Sequence, residues 1–128
     1  MTREEIIERL QELTLDQEEY WVVAGGAMVL HGIKDETLGI ELGCSTKLAD
    51  MLENRGYHMS TAPDGRRSLI FDEDIEIFEN WIFDHVEKVE EIPVISMKGL
   101  VEMKKDLTRK KDIYDVKIFD NYLSTAAK

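Results

Sequence analysis

The sequence has few of the residues that build disulfides, zinc sites or membrane spans. Cys44 is the single cysteine among 128 residues, so no intrachain disulfide can form and a reducing cytoplasm is the expected setting. The three histidines are scattered, which leaves no Cys/His cluster with the spacing of a zinc site. No apolar run is long enough to cross a bilayer, and the first ten residues are typical of an acidic amphipathic helix rather than a signal peptide. We therefore expect a cytoplasmic protein without membrane association.

Basic residues are scarce as well. The chain has 16 Lys and Arg against 27 Asp and Glu, a formal net charge of −11, which argues against broad nucleic-acid binding. One segment, residues 97–111, reverses this balance with six basic residues against two acidic ones. It either faces a polyphosphate or complements the dipole at a helix C-terminus. The length and the 43% hydrophobic content predict one folded domain over residues 1–128.

The most informative stretch runs from residue 20 to residue 42. Its first part, Tyr20–Ala24, is apolar and aromatic, which favours a strand covered on both faces. Gly25 and Gly26 are predicted to turn the backbone sharply, to admit a ligand closely and to lead into a short helix whose N–H groups attract anions. A second strand is predicted over Thr37–Leu42, with Glu41 on the face opposite its apolar neighbours.

Apolar periodicity, caps and turn residues predict the remaining elements. Together they indicate an α+β fold, a small mixed β-sheet flanked by helices. The predicted helices cover Thr2–Leu13, Gly26–His31, Thr46–Gly56, Met97–Leu107 and Asp112–Leu123. The further predicted strands cover Tyr57–Ser60, Ser68–Phe71, Asp74–Phe78 and the short pair Val94–Ile95.

This order of elements resembles the nucleotidyltransferase fold of the polymerase-β type. In that pattern a strand ends in Gly-Gly or Gly-Ser, a helix often ends in His-Gly, and Arg-x-Thr-x-Asp-h-Asp follows, where h is apolar. The matching residues are Gly25, Gly26, His31, Gly32 and Thr37. Asp35 stands at the Arg position, Gly39 at the first Asp position and Glu41 at the second.

The C-terminal part carries a second match. Family members close with a helix reading roughly Lys-x-x-x-x-Arg-x-Lys-Asp-x-x-Asp, and this chain has those intervals at Lys104, Arg109, Lys111, Asp112 and Asp115. The resemblance implies that Gly25 and Gly26 cradle the phosphates of a nucleotide and that Lys104 and Arg109 neutralise them. Asp112 then orients one of these cations through a salt bridge, or simply caps the last helix.

Three carboxylates are central to the chemistry that the resemblance implies. Nucleotidyl transfer is an in-line displacement at phosphorus, in which two divalent ions stabilise the attacking and leaving oxygens. Glu41 and Glu76 are the predicted catalytic and metal-binding acids, with Asp74 as a further ligand. Because Gly39 has no carboxylate, we expect Mg²⁺ or Mn²⁺ to bind weakly. The alternative is an edge strand whose exposed face simply carries acids.

Two functional hypotheses follow from the resemblance. In the first, the domain transfers a nucleoside monophosphate from an NTP–Mg complex to an unknown acceptor. In the second, it is a catalytically inactive nucleotide-binding or protein-interaction domain, for example in a toxin–antitoxin or phage-defence system. The expected partners are a nucleoside triphosphate and a partner protein or second copy of the chain. Gly39 and Asp35 favour the second hypothesis, and the retained Gly-Gly pair and Glu41 favour the first.

Overall fold

The computed structural model of the chain describes residues 1–106 and 110–126. The helices are α1 (Arg3–Gln11), α2 (Ala24–Leu30), α3 (Thr46–Asn54), α4 (Met97–Met103) and α5 (Lys110–Ala126), with a 3₁₀ turn at Lys104–Asp106. The strands are β1 (Tyr20–Val23), β2 (Ile40–Cys44), β3 (Ser60–Thr61), β4 (Arg67–Asp72), β5 (Ile75–Glu79), β6 (Val86–Val89) and β7 (Ile92–Ile95).

The strands of the described residues form one mixed sheet in the order β3-β4-β5-β2-β1-β7-β6. β1 pairs in parallel with β7, and β2 pairs in parallel with β5, whereas the other neighbours are antiparallel. The central strands carry many apolar residues because they are largely covered: Val22, Leu42, Ile77 and Val94 are fully buried. β2 and β5 nevertheless carry glutamates as well. The predicted α+β class with a mixed sheet is confirmed, and the sheet is wider than expected.

The helix starts follow the capping residues that the sequence offers. Thr2 accepts a hydrogen bond from the backbone N–H of Glu5, and the Glu5 carboxylate accepts one from the backbone N–H of Thr2, a complete capping box. Ser45 caps α3 in the same way by accepting from the N–H of Leu48. Local sequence therefore fixes where these helices begin.

The predicted Gly-Gly turn is misplaced by one residue. The backbone turns at Ala24, whose φ is +52°, and Gly25 and Gly26 lie within α2. Both glycines are closely packed, since a Cβ on Gly25 would lie 2.7 Å from Thr37 Oγ1 and one on Gly26 would lie 3.0 Å from Val22 Cγ1. Close approach of neighbouring side chains, rather than turning, explains the two glycines.

The second strand of the informative stretch begins later than predicted, at Ile40. The residues before it pair with the N-terminal segment instead: Thr2 and Glu36 form an isolated antiparallel bridge, and the N–H of Thr37 donates to the carbonyl of Met1. Gly39 therefore lies just before the strand rather than within it. The alternation that placed Glu41 opposite its apolar neighbours still holds inside β2.

One hairpin was not predicted from the sequence. β6 and β7 pair through a turn at Glu90 and Glu91, whose φ values are +49° and +70°. Two-residue hairpin turns with positive φ are normally signalled by Asn-Gly or Asp-Gly, and two glutamates give no such signal. Pro93 lies within β7, so the strand is longer than the predicted Val94–Ile95.

Candidate functional site

The two acids singled out by the sequence lie side by side on neighbouring strands. Glu41 and Glu76 are Cα partners in the parallel pairing of β2 and β5. Side chains at paired positions of adjacent strands project from the same face of the sheet, so the two carboxylates share one face. Glu41 is only 8% exposed, and Glu76 is half-buried. Their roles as catalytic acids and metal ligands stay predictions.

Gly39 and Asp74 stand next to this pair, at the ends where the two strands begin. The N–H of Ile40 donates to the carbonyl oxygen of Asp74 at 2.7 Å, and a Cβ on Gly39 would lie 3.1 Å from that oxygen. The carboxylate of Asp74 is paired with Arg9 of α1, whose Nε lies 3.3 Å from Asp74 Oδ2. Arg9 also pairs with Asp72 at the end of β4, so one guanidinium is paired with two acids.

A two-ion centre needs three carboxylates together, and the described residues do not supply this set. Among them, no group of three or more His, Cys, Asp or Glu side chains has an arrangement that could hold a metal ion. Gly39 offers no carboxylate, and Asp74 is ion-paired to Arg9. The residues present therefore do not fit a pair of divalent ions.

A cleft of about 1090 Å³ opens beside the acid pair. Its walls come from the loop of residues 33–39, from Glu41 of β2 and from the first turns of α5. A smaller cleft of about 430 Å³ shares Leu38, Gly39 and Glu41 with it and reaches Asp74 and Glu76. Small-molecule sites are commonly clefts of several hundred cubic ångströms, so the larger cleft has room for a nucleotide.

A nearly buried ion pair forms part of the cleft wall. Lys34 Nζ donates to Asp115 Oδ1, and the two side chains are 11% and 13% exposed. A Cβ on Gly25 would lie 3.2 Å from Asp115 Oδ2 and 3.5 Å from Lys34 Nζ, so this pair packs directly on the start of α2. It also fastens α5 to the loop before β2.

Lys34 was missed as a site residue by the sequence analysis. It precedes Asp35, the residue at the Arg position of the family pattern, and so displaces the basic group by one residue. That displacement is the sequence signal that could have identified it. Among the side chains lining the cleft in the described part of the chain, Lys34 supplies the basic group.

The predicted phosphate-binding residues of the C-terminal segment are only partly described. Lys104 lies in the 3₁₀ turn after α4, donates to Asp120 Oδ1 and sits 5.9 Å from the centroid of the Phe119 ring. Neither cleft is lined by Lys104. Arg109 lies outside the described residues, and so does the side chain of Asp112, although its backbone belongs to α5. The nucleotide-binding roles of Gly25, Gly26, Lys104, Arg109 and Asp112 thus stay predictions.

Marked pKa shifts occur at the far ends of β2 and β5, away from the acid pair. Hydrogen bonds from Arg67 lower the pKa of Glu79 to about 2, and Asp50 and Glu53 also accept from Arg67. Burial, followed by the nearby charge of Glu79, raises the pKa of the Cys44 thiol to about 12. Cys44 therefore stays protonated and unreactive near neutral pH.

The fold is nucleotidyltransferase-like, as the resemblance predicted. A solved structure supports this: a putative nucleotidyltransferase from Thermotoga maritima aligns over 98% of this chain and 96% of its own, with a TM-score of 0.57 and 16% sequence identity. No protein-family model matches the chain, and no curated protein does. None of the helices in residues 1–106 and 110–126 combines the length and the apolar character that crossing a membrane requires.

Proposed function

We propose that this chain binds a nucleoside triphosphate in the larger cleft and supports little or no nucleotidyl transfer. The observation that carries the proposal is Gly39, which lies beside the acid pair at the position of the first catalytic carboxylate in the family pattern. Apart from Asp74, which is ion-paired with Arg9, the acids predicted for the site are Glu41 and Glu76, which are Cα partners on neighbouring strands. Two carboxylates are one fewer than a two-ion mechanism uses.

Lys34 is the proposed phosphate contact of the cleft. Its ammonium group is paired with Asp115, and Lys34 belongs to the same loop as Thr37. A triphosphate brings several negative charges, so it competes with Asp115 for this cation through charge-assisted hydrogen bonds. A single Mg²⁺ or Mn²⁺ would neutralise phosphate oxygens when bound, and Glu41 and Glu76 are its proposed ligands.

Calorimetric titration with ATP, in the presence of Mg²⁺ or of EDTA, tests binding. Pyrophosphate release measured with each of the four nucleoside triphosphates tests transfer of the nucleoside monophosphate to hydroxyl groups of the chain itself or to water. We expect ATP binding that Mg²⁺ strengthens, and no pyrophosphate release above the buffer control. Glu41→Gln should remove the Mg²⁺ effect, whereas Glu36→Gln, at an exposed acid of the same cleft, should keep it. Absence of ATP binding at millimolar concentrations contradicts the proposed binding. Sustained pyrophosphate release contradicts the proposal that the chain supports little or no transfer.

Transfer of a nucleoside monophosphate to an acceptor is the second candidate function. It is favoured by Asp74, which lines the same smaller cleft as Glu41 and Glu76 and lies opposite Gly39. If Asp74 leaves Arg9, it becomes the third carboxylate. Pyrophosphate release that Asp74→Asn abolishes would establish this candidate.

A protein-interaction role, as in toxin–antitoxin or phage-defence systems, is the remaining alternative. It is favoured by Leu38, an apolar side chain that is 90% exposed at the rim of both clefts. A partner protein or a second copy would cover it. Sedimentation analysis of the pure chain, with Leu38→Asp as the matched variant, distinguishes self-association from a monomer.

A further inference from the structure

The larger cleft is lined by both polar and apolar side chains. Its polar lining includes Lys34, Thr37, Asp115 and Glu41 of the acid pair. Its apolar lining includes Ile33, Leu38, Tyr114 and Ile118. A nucleotide needs both kinds of contact, because its phosphates need charged partners whereas its base offers two flat apolar faces.

Tyr114 is the aromatic side chain of this cleft lining. It is 67% exposed, although buried aromatics contribute most to stability, and it stands one residue before Asp115 on α5. The Lys34–Asp115 ion pair ties this turn of α5 to the loop that carries Leu38. The Tyr114 ring thus lies in the cleft wall close to Lys34, the basic side chain of the described lining.

We infer that Tyr114 is the base-stacking residue of the nucleotide site, with Leu38 as the apolar contact from the opposite loop. This inference rests on the proposed function, since it assigns the base of the nucleotide whose phosphates Lys34 contacts. Stacking on an aromatic face tolerates every base because each base has a π-face. Selectivity among the four nucleotides should therefore be weak. The affinity for a nucleotide should nevertheless be clearly higher than the affinity for a phosphate chain without a base.

The experiment compares Mg·ATP with Mg·tripolyphosphate, which has the phosphate chain but no base, by calorimetry on the full chain. Tyr114→Ala should weaken ATP binding about tenfold and leave tripolyphosphate binding unchanged. Tyr114→Phe keeps the ring and should bind ATP like the wild type. Tyr122→Ala is the matched control, a tyrosine about two turns further along α5 that does not line the cleft. Proton NMR of bound ATP should show upfield base protons with wild type and with Tyr114→Phe, but not with Tyr114→Ala.

Each outcome has a definite meaning. Equal ATP affinity of Tyr114→Ala and wild type overturns the inference, as does an equal loss for ATP and tripolyphosphate. If the wild type binds tripolyphosphate as tightly as ATP, the base is not held and the inference fails while the proposed function stands. If it binds neither, the proposed function fails as well. Leu38→Ser is the second variant, with the same selective loss for ATP expected, should Tyr114→Ala not fold.

Discussion

Glu41 of β2 and Glu76 of β5 are Cα partners across a parallel pair at the centre of the sheet. β2 lies between β5 and β1, and β5 lies between β4 and β2, so neither acid belongs to an edge strand. The alternative predicted an edge strand, and that part of it is wrong. Glu41 is only 8% exposed, so its carboxylate is enclosed by the structure rather than lying in bulk solvent.

Restoring a carboxylate at Gly39 should cost stability. A Cβ there would lie 3.1 Å from the carbonyl oxygen of Asp74, which already accepts from the N–H of Ile40 and cannot move without loosening that bond. We expect Gly39→Ala to lower the free energy of unfolding by about 1 kcal/mol, measured by urea denaturation. Gly39→Asp adds repulsion with neighbouring acids, so Mn²⁺ should stabilise Gly39→Asp but not Gly39→Ala. Equal Mn²⁺ effects in both variants would mean that the new carboxylate reaches no ion.

Breaking the Lys34–Asp115 pair should be far more costly than breaking an exposed pair. Asp115→Asn leaves the nearly buried ammonium of Lys34 without its counter-charge, and we expect a loss of about 3 kcal/mol in the free energy of unfolding. The double variant Lys34→Met/Asp115→Leu should recover most of this lost free energy of unfolding. Asp120→Asn is the control, since its pair with Lys104 is half exposed and should contribute under about 1 kcal/mol. Similar losses at both pairs would contradict the burial argument.

Gly25 should tolerate no side chain while Thr37 keeps its hydroxyl. A Cβ on Gly25 would lie 2.7 Å from Thr37 Oγ1, so Gly25→Ala should lower the free energy of unfolding by about 2 kcal/mol. Thr37→Ala removes that oxygen, and the double variant should be more stable than the sum of the single effects predicts. Additive effects in this double-mutant cycle would show that Thr37 is not what excludes the methyl group.

Acid should weaken the structure through Glu79. Its pKa in the folded chain is about 2, below the ordinary value of 4.5, because Arg67 donates to it. A lowered folded pKa contributes stability that is present above pH 4.5 and is lost as the pH falls towards 2. The contribution at neutral pH is on the order of 3 kcal/mol.

Thermal unfolding of the wild type and of Glu79→Gln between pH 7 and pH 2 measures this contribution. The difference in melting temperature between the wild type and Glu79→Gln should shrink as the pH falls below 4.5. Glu102→Gln, which changes an exposed acid, should have the melting temperature of the wild type at every pH. A difference in melting temperature that persists at pH 2 would mean that Glu79→Gln acts through packing rather than through the charge of Glu79.

Short-range features of the site could be predicted from the sequence because they depend on neighbouring residues. The strand–helix–strand order and the Thr2–Glu5 capping box depend on backbone preferences that act within a few positions. Glu41 was placed opposite its apolar neighbours by the period of two along a strand, which needs no knowledge of the rest of the chain. The Glu90–Glu91 turn escaped prediction because neither residue prefers positive φ.

The sequence by itself determined the kind of fold and the acids that could matter, whereas the tertiary structure decided which groups meet. The register that sets Glu41 beside Glu76 depends on how β5 pairs with β2, and it cannot be predicted from the local sequence of either strand. Arg9 pairs with Asp74 across 65 positions, and Lys34 pairs with Asp115 across 81. Such contacts form because packing of the apolar core brings distant segments together, and charges that are then desolvated must find each other.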